Sequence, residues 1–125
     1  MGVTESKENY LEIIHILAKQ QKEVHAVDIA NYLGFARASV SIALRALRDE
    51  KYISVDDNLH ITLTPKGKAV AKKVYDKHQT LSTWFMFMGV DEKTALKDAC
   101  KIEHIISEKS FKAIKKFFKK YPHFI

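Results

Sequence analysis

Cys100, Glu103 and His104 fall within the run Cys100-Lys101-Ile102-Glu103-His104. The segment from about Glu92 to Ser107 reads as helical, and at 3.6 residues per turn these three side chains project from one face of it. A thiolate, a carboxylate and an imidazole within reach of one another form half of a transition-metal site. Three donors on two turns rarely close a coordination sphere, so the remaining ligands must come from other elements packed against this helix. Ligands from the N-terminal end would let a metal tie the two ends of the chain together. The spacing alone leaves a second reading open, in which Cys100 is a small buried hydrophobe and Glu103 and His104 lie on a solvated face.

The elements that must position these residues belong to a chain of 125 residues, 46% hydrophobic and 29% charged. That length supports one core, or one small core with a helical appendage that needs a partner. No apolar run approaches the ~20 residues of a membrane span, and no secretory leader is legible. A single cysteine excludes an internal disulfide and suits a reducing cytoplasm. The net charge of +6 is concentrated at the end, where residues 105–125 carry six lysines against Glu108. Bulk basicity is therefore weak support for nucleic-acid binding. The stretch Thr64 to His78 is more pointed, with Lys66, Lys68, Lys72, Lys73 and Lys77 against Asp76, although a solvated helix face would look similar.

Taken in order, Thr4 or Ser6 caps a first helix that ends near Gln20 or Gln21 and buries Tyr10, Leu11, Ile14 and Leu17. Asn9 and Glu12 lie off that stripe, and Glu12 by itself reads as a surface carboxylate. A short helix from Val27 to Leu33 and a longer one from about Ala38 to Glu50 flank Gly34. Ala30, Gly34 and Val40 fill the three positions a helix-turn-helix demands: a small residue at the crossing, a positive φ in the turn, and a branched apolar plug. On the second helix Val40, Ala43, Leu44 and Leu47 face the core. Arg37, Ala38, Ser39, Ser41 and Arg45, with Arg48, are left for base edges and phosphates in a major groove. Ser39 and Arg37 could instead only cap and solvate that helix.

Tyr52 to Val55 and Leu59 to Leu63 alternate as strands around Asp56-Asp57-Asn58, which makes a wing with His60 on its surface. Thr64-Pro65 starts a helix predicted to reach Met88, with Gly89 closing it and Asp91 capping the next. The fold class is mainly α: a winged helix-turn-helix over residues 1–73, then a helical domain over 74–125. Trp84, Phe85, Phe87 and Met88 are more apolar surface than so few residues can bury, which points to a two-fold dimer. Ser110 to Phe118 is amphipathic, and reads as a dimer-packing helix in preference to a membrane-surface one.

The order of these elements resembles the iron- and manganese-dependent repressors of bacteria, the DtxR/MntR group. The resemblance runs from about Glu8 to Phe118 through Glu8-Asn9-Tyr10-Leu11-Glu12, Asp28-Ile29-Ala30, Leu63-Thr64-Pro65-Lys66-Gly67, Lys77-His78, Gly89-Val90-Asp91 and Glu103-His104. It implies a homodimeric, metal-activated repressor of metal-homeostasis genes that binds a palindromic DNA operator, in the short form without an SH3-like domain. No catalytic residues are expected, because the sequence offers no nucleophile-base pair and no phosphate-cradling glycine loop. Glu12 and His78 fall where manganese-type members bind metal, and Glu103 and His104 where both branches do. Cys100 stands at a position that is cysteine in the iron-type branch and a carboxylate in the manganese-type branch. Asn9 replaces a methionine in the first and an aspartate in the second, and Ser82 and Leu96 stand where the iron-type branch has ancillary ligands. The implied set is thus Asn9, Glu12, His78, Cys100, Glu103 and His104. A thiolate among imidazoles and carboxylates favours Fe(II), Zn(II), Co(II) or Ni(II) over Mn(II), with Fe(II) foremost. The rival expectation is a winged-helix regulator that needs no metal and senses a small molecule or an oxidant through Cys100.

Overall fold

The computed structural model describes residues 4–120, which divide into two compact units between Lys72 and Lys73. Six helices and a two-stranded sheet follow in the order α1 (Glu5–Gln20), α2 (Ala26–Leu33), α3 (Arg37–Asp49), β1 (Ile53–Val55), β2 (Ile61–Leu63), α4 (Pro65–Phe87), α5 (Glu92–Ile102) and α6 (Glu108–Lys120). No described helix is long and apolar enough to cross a membrane.

In the first unit α1 starts at Thr4, whose hydroxyl accepts from Lys7 N at 3.3 Å, and Glu5 and Glu8 sit favourably in its first turn. It buries Tyr10, Leu11, Ile13, Ile14 and Leu17 in one core with Ile29 of α2, Val40, Leu44 and Leu47 of α3, and Ile53, Ile61 and Leu63 of the hairpin. The helix-turn-helix forms on its three marker residues. Ala30 is buried at the crossing, Gly34 takes φ 72° and donates to Ala30 O at 2.8 Å, and Val40 is fully enclosed. A β-carbon at Gly34 would meet space but would strain that left-handed backbone.

The hairpin is antiparallel, with Ile53 opposite Leu63 and Val55 opposite Ile61. Its strands are shorter than the alternation predicts, and His60 precedes β2 instead of lying within it. The cause is local: Asp56 Oδ1 accepts from both Asn58 N (2.9 Å) and His60 N (2.8 Å), and Leu59 adopts φ 62°. That turn chemistry captures Leu59 and His60, which would otherwise extend the ladder. Ile61 N donates to Val24 O at 2.8 Å, so the loop before α2 is hydrogen-bonded to the wing.

Thr64 joins wing to helix by donating its hydroxyl to Lys51 O (2.7 Å) and accepting from Gly67 N (3.1 Å). Gly67 is required here, because a β-carbon would lie 2.0 Å from Tyr52 O.

In the second unit α4 ends on Gly89 at φ 101°, and the Asp91 carboxylate accepts from Thr94 N at 3.0 Å to open α5. α5 stops at Ile102, whereas the periodicity predicts helix as far as Ser107. Ser107 is claimed by the following helix instead: its hydroxyl accepts from Ser110 N and its carbonyl from Phe111 N, both at 3.0 Å. Residues 103–107 therefore form a corner between α5 and α6. α6 buries Phe111 and Phe118, and Lys115 reaches Asp76 at 2.7 Å. Phe87, Met88 and Phe117 are exposed.

Candidate metal centre and nucleic-acid interface

Glu103 caps α5 and is 1% exposed, a depth at which a carboxylate is costly unless its charge is met. Its two oxygens face two imidazoles. His78 Nδ1, from α4, lies 2.9 Å from Oε2, and His104 Nε2, from the corner, lies 3.4 Å from Oε1. Glu103 Oε1 has no hydrogen-bond donor among the described residues. A buried carboxylate oxygen without a donor, beside imidazole nitrogens that can turn a lone pair towards a cation, is the chemistry a divalent transition metal satisfies. The second unit thus brings His78, Glu103 and His104 together, although they lie up to 26 positions apart in the chain. Ser82 fixes the neighbouring backbone by donating its hydroxyl to His78 O at 2.8 Å.

The solvated-face reading fails for both residues of the pair, since Glu103 and the His104 side chain are enclosed. The buried-hydrophobe reading fails for Cys100, which is exposed on the last turns of α5. Glu12 is likewise not a surface carboxylate: it is 4% exposed on α1, within the first unit, and Asn9 one turn earlier is half-buried.

The basic stretch of α4 is only partly free to meet phosphates. Lys77 is buried against Glu108 at 2.9 Å and Lys73 approaches the same carboxylate at 3.6 Å, so these two serve the packing of α6. Hydrogen bonding from Lys77 holds the Glu108 carboxyl below its ordinary range. Lys66 donates to Glu50 O (3.0 Å) and lies over the Tyr52 ring. Lys68 and Lys72 stay exposed.

In the first unit Arg37, Ala38, Ser39, Ser41 and Arg45 are all exposed on the N-terminal part of α3. Arg37, Ser41, Arg45 and Arg48 line a cleft of about 550 Å³ whose other wall includes His25 and the wing residues Asn58 and Leu59. The arginines are legible in the sequence, whereas the contribution of His25 and Asn58 is not. His25 reaches the wing through Nδ1, 3.0 Å from Leu59 O, a long-range pairing with no local signature.

Residues 2–61 match a family model described as the iron dependent repressor N-terminal DNA binding domain. Residues 64–123 match its metal binding and dimerisation domain. An uncharacterised HTH-type transcriptional regulator of Methanocaldococcus jannaschii is 34% identical over 95% of this chain and 97% of its own length. The chain belongs to the iron-dependent repressor family.

The HTH-type transcriptional regulator MntR of Bacillus subtilis is 31% identical over 89% of this chain and 78% of that protein. Among solved structures, the manganese regulator SloR superposes with a TM-score of 0.81 at 25% identity, covering 95% of this chain. The IdeR of T. acidophilum gives 0.80 at 26%, also over 95%. The chain spans 55% of each of those two chains. The family is one of DNA-binding, metal-dependent transcriptional regulators, and its fold is the winged helix followed by a helical metal-binding and dimerisation region described above.

Proposed function

We propose that the chain is a homodimeric repressor of metal-homeostasis genes, acting in the cytoplasm, whose grip on a palindromic operator is set by a divalent transition metal. His78, Cys100, Glu103 and His104 hold the ion, and Glu12 and Asn9 on α1 supply further donors. The observation that carries the metal part of this reading is the enclosed Glu103 carboxylate with an imidazole nitrogen facing each oxygen. When bound, the ion supplies directional coordinate bonds that lower the free energy of one arrangement of its ligands.

The protein residues then transmit that preference. Glu12 and Asn9 ride on α1, whose Tyr10, Leu11 and Ile14 share a core with Val40, Leu44 and Leu47 of α3, so restraining α1 restrains the recognition helix. Arg37, Ala38, Ser39, Ser41 and Arg45 make the DNA contacts. In a dimer the two recognition helices must enter successive major grooves about 34 Å apart. A ligand set that favours this spacing by ~100-fold contributes about 2.7 kcal/mol per site without changing one DNA contact. A thiolate in that ligand set makes Fe(II) the ion of choice, ahead of Zn(II), Co(II), Ni(II) and Mn(II).

A gel-shift series on DNA upstream of the chain's own gene, with Fe(II), Mn(II), Zn(II) or a chelator, tests this. Retardation with metal and release by chelator is the expected result. Unchanged binding after chelation, together with sensitivity to thiol alkylation, would favour the exposed Cys100 as the sensor of a metal-independent regulator.

A further inference from the structure

Ile42 is 70% exposed in the middle of α3. Branched aliphatic side chains are ordinarily among the most buried, and this one contributes nothing to the core beneath it. Helical spacing places Ala38 and Ser39 one turn before it and Arg45 and Ala46 one turn after it. Ala38, Ser39 and Ala46 are too short to cover it, and Arg45 belongs to the basic edge of that surface. Arg37, Arg45 and Arg48 run along one edge of the same surface and line the cleft towards the wing. The helix has no acid in its first turn, and its one carboxylate, Asp49, is seven positions further on.

An apolar knob among small residues with a basic border matches one feature of duplex DNA. The C5-methyl of thymine is the apolar group exposed on base edges in the major groove, and phosphates lie to either side. A protein groove would not explain the arginine border as well. We propose that Ile42 is a specificity-determining residue that packs on a thymine methyl in each operator half-site. This rests on the DNA-binding reading above and adds to it the base that is read and the group that reads it.

The test uses the full chain with the ion that gives the tightest binding in the gel-shift series, and an operator selected from randomised duplexes. Each thymine is replaced in turn by deoxyuridine, which removes the methyl and preserves pairing. At one symmetric pair of positions the wild type should lose about fourfold in affinity per half-site. Ile42→Ala should weaken binding to the parent operator and be indifferent to uridine at that same pair. Because the side chain is exposed, its thermal unfolding should match the wild type. A wild type insensitive to every replacement, or an Ile42→Ala variant with undiminished sensitivity, would overturn the proposal. Failure of the loaded chain to select any sequence would appear before uridine is introduced, and would overturn the DNA-binding reading along with this one.

Discussion

Glu103 is held where a carboxylate is poorly suited to be, enclosed and with one oxygen lacking a hydrogen-bond donor among the described residues. A buried acid at that place costs stability, whereas a carboxylate oxygen is a suitable donor to a divalent metal. Glu103→Gln keeps the shape and removes the charge. Without metal, the variant should be as stable as the wild type or more so, by about 1 kcal/mol in a denaturant titration. It should also lose the rise in melting temperature that added divalent metal gives the wild type. Loss of stability in chelator with a full metal response would assign Glu103 a purely structural role. Cys100→Ala should weaken metal-dependent operator binding far more than low-salt binding to random DNA, which competition gel shifts can separate. Gly67 is a residue whose role lies in backbone approach: Gly67→Ala puts a methyl against Tyr52 O and should cost about 3 kcal/mol in urea unfolding.

Among the elements, the helix starts were the most legible features of the sequence. Thr4, Thr64 and Asp91 each stand where a side-chain oxygen meets a backbone N–H two or three positions on, and all three accept that bond. Asp91→Ala should therefore destabilise α5, read as a lower midpoint in denaturant. The end of α5 was not legible, because Ile105 and Ile106 continue an apolar rhythm. The competition is decided by Ser107, whose hydroxyl serves α6. The burial of Glu12 and Glu103 was not legible either, since burial depends on what packs from elsewhere in the chain and a helix period cannot show it. Only the resemblance singled out Glu12.

The contact between α4 and α6 carries a pH dependence. Lys77 and Lys73 hold the Glu108 carboxyl below its unfolded value, so the ionised acid is favoured in the folded chain. Its contribution is present above the unfolded carboxylate range and is lost as pH falls through the lowered folded value. Glu108→Gln should accordingly flatten the acid limb of a stability-versus-pH curve and leave the neutral-to-alkaline limb parallel to that of the wild type.

In the dimer, metal binding and DNA binding are two linked events. Exposed Phe87, Met88 and Phe117 fit a helical region that a second copy covers, in line with the dimerisation described for the matching family model. If metal favours the arrangement that DNA also favours, then DNA must favour metal by the same factor, because coupling between two ligands is reciprocal. The most direct measurement is the metal affinity of the full chain, determined with and without saturating operator duplex at one salt concentration. The operator should tighten metal binding by about 100-fold, and a random duplex of equal length should do so far less. Equal metal affinity with operator, with random duplex and with no DNA would contradict that linkage.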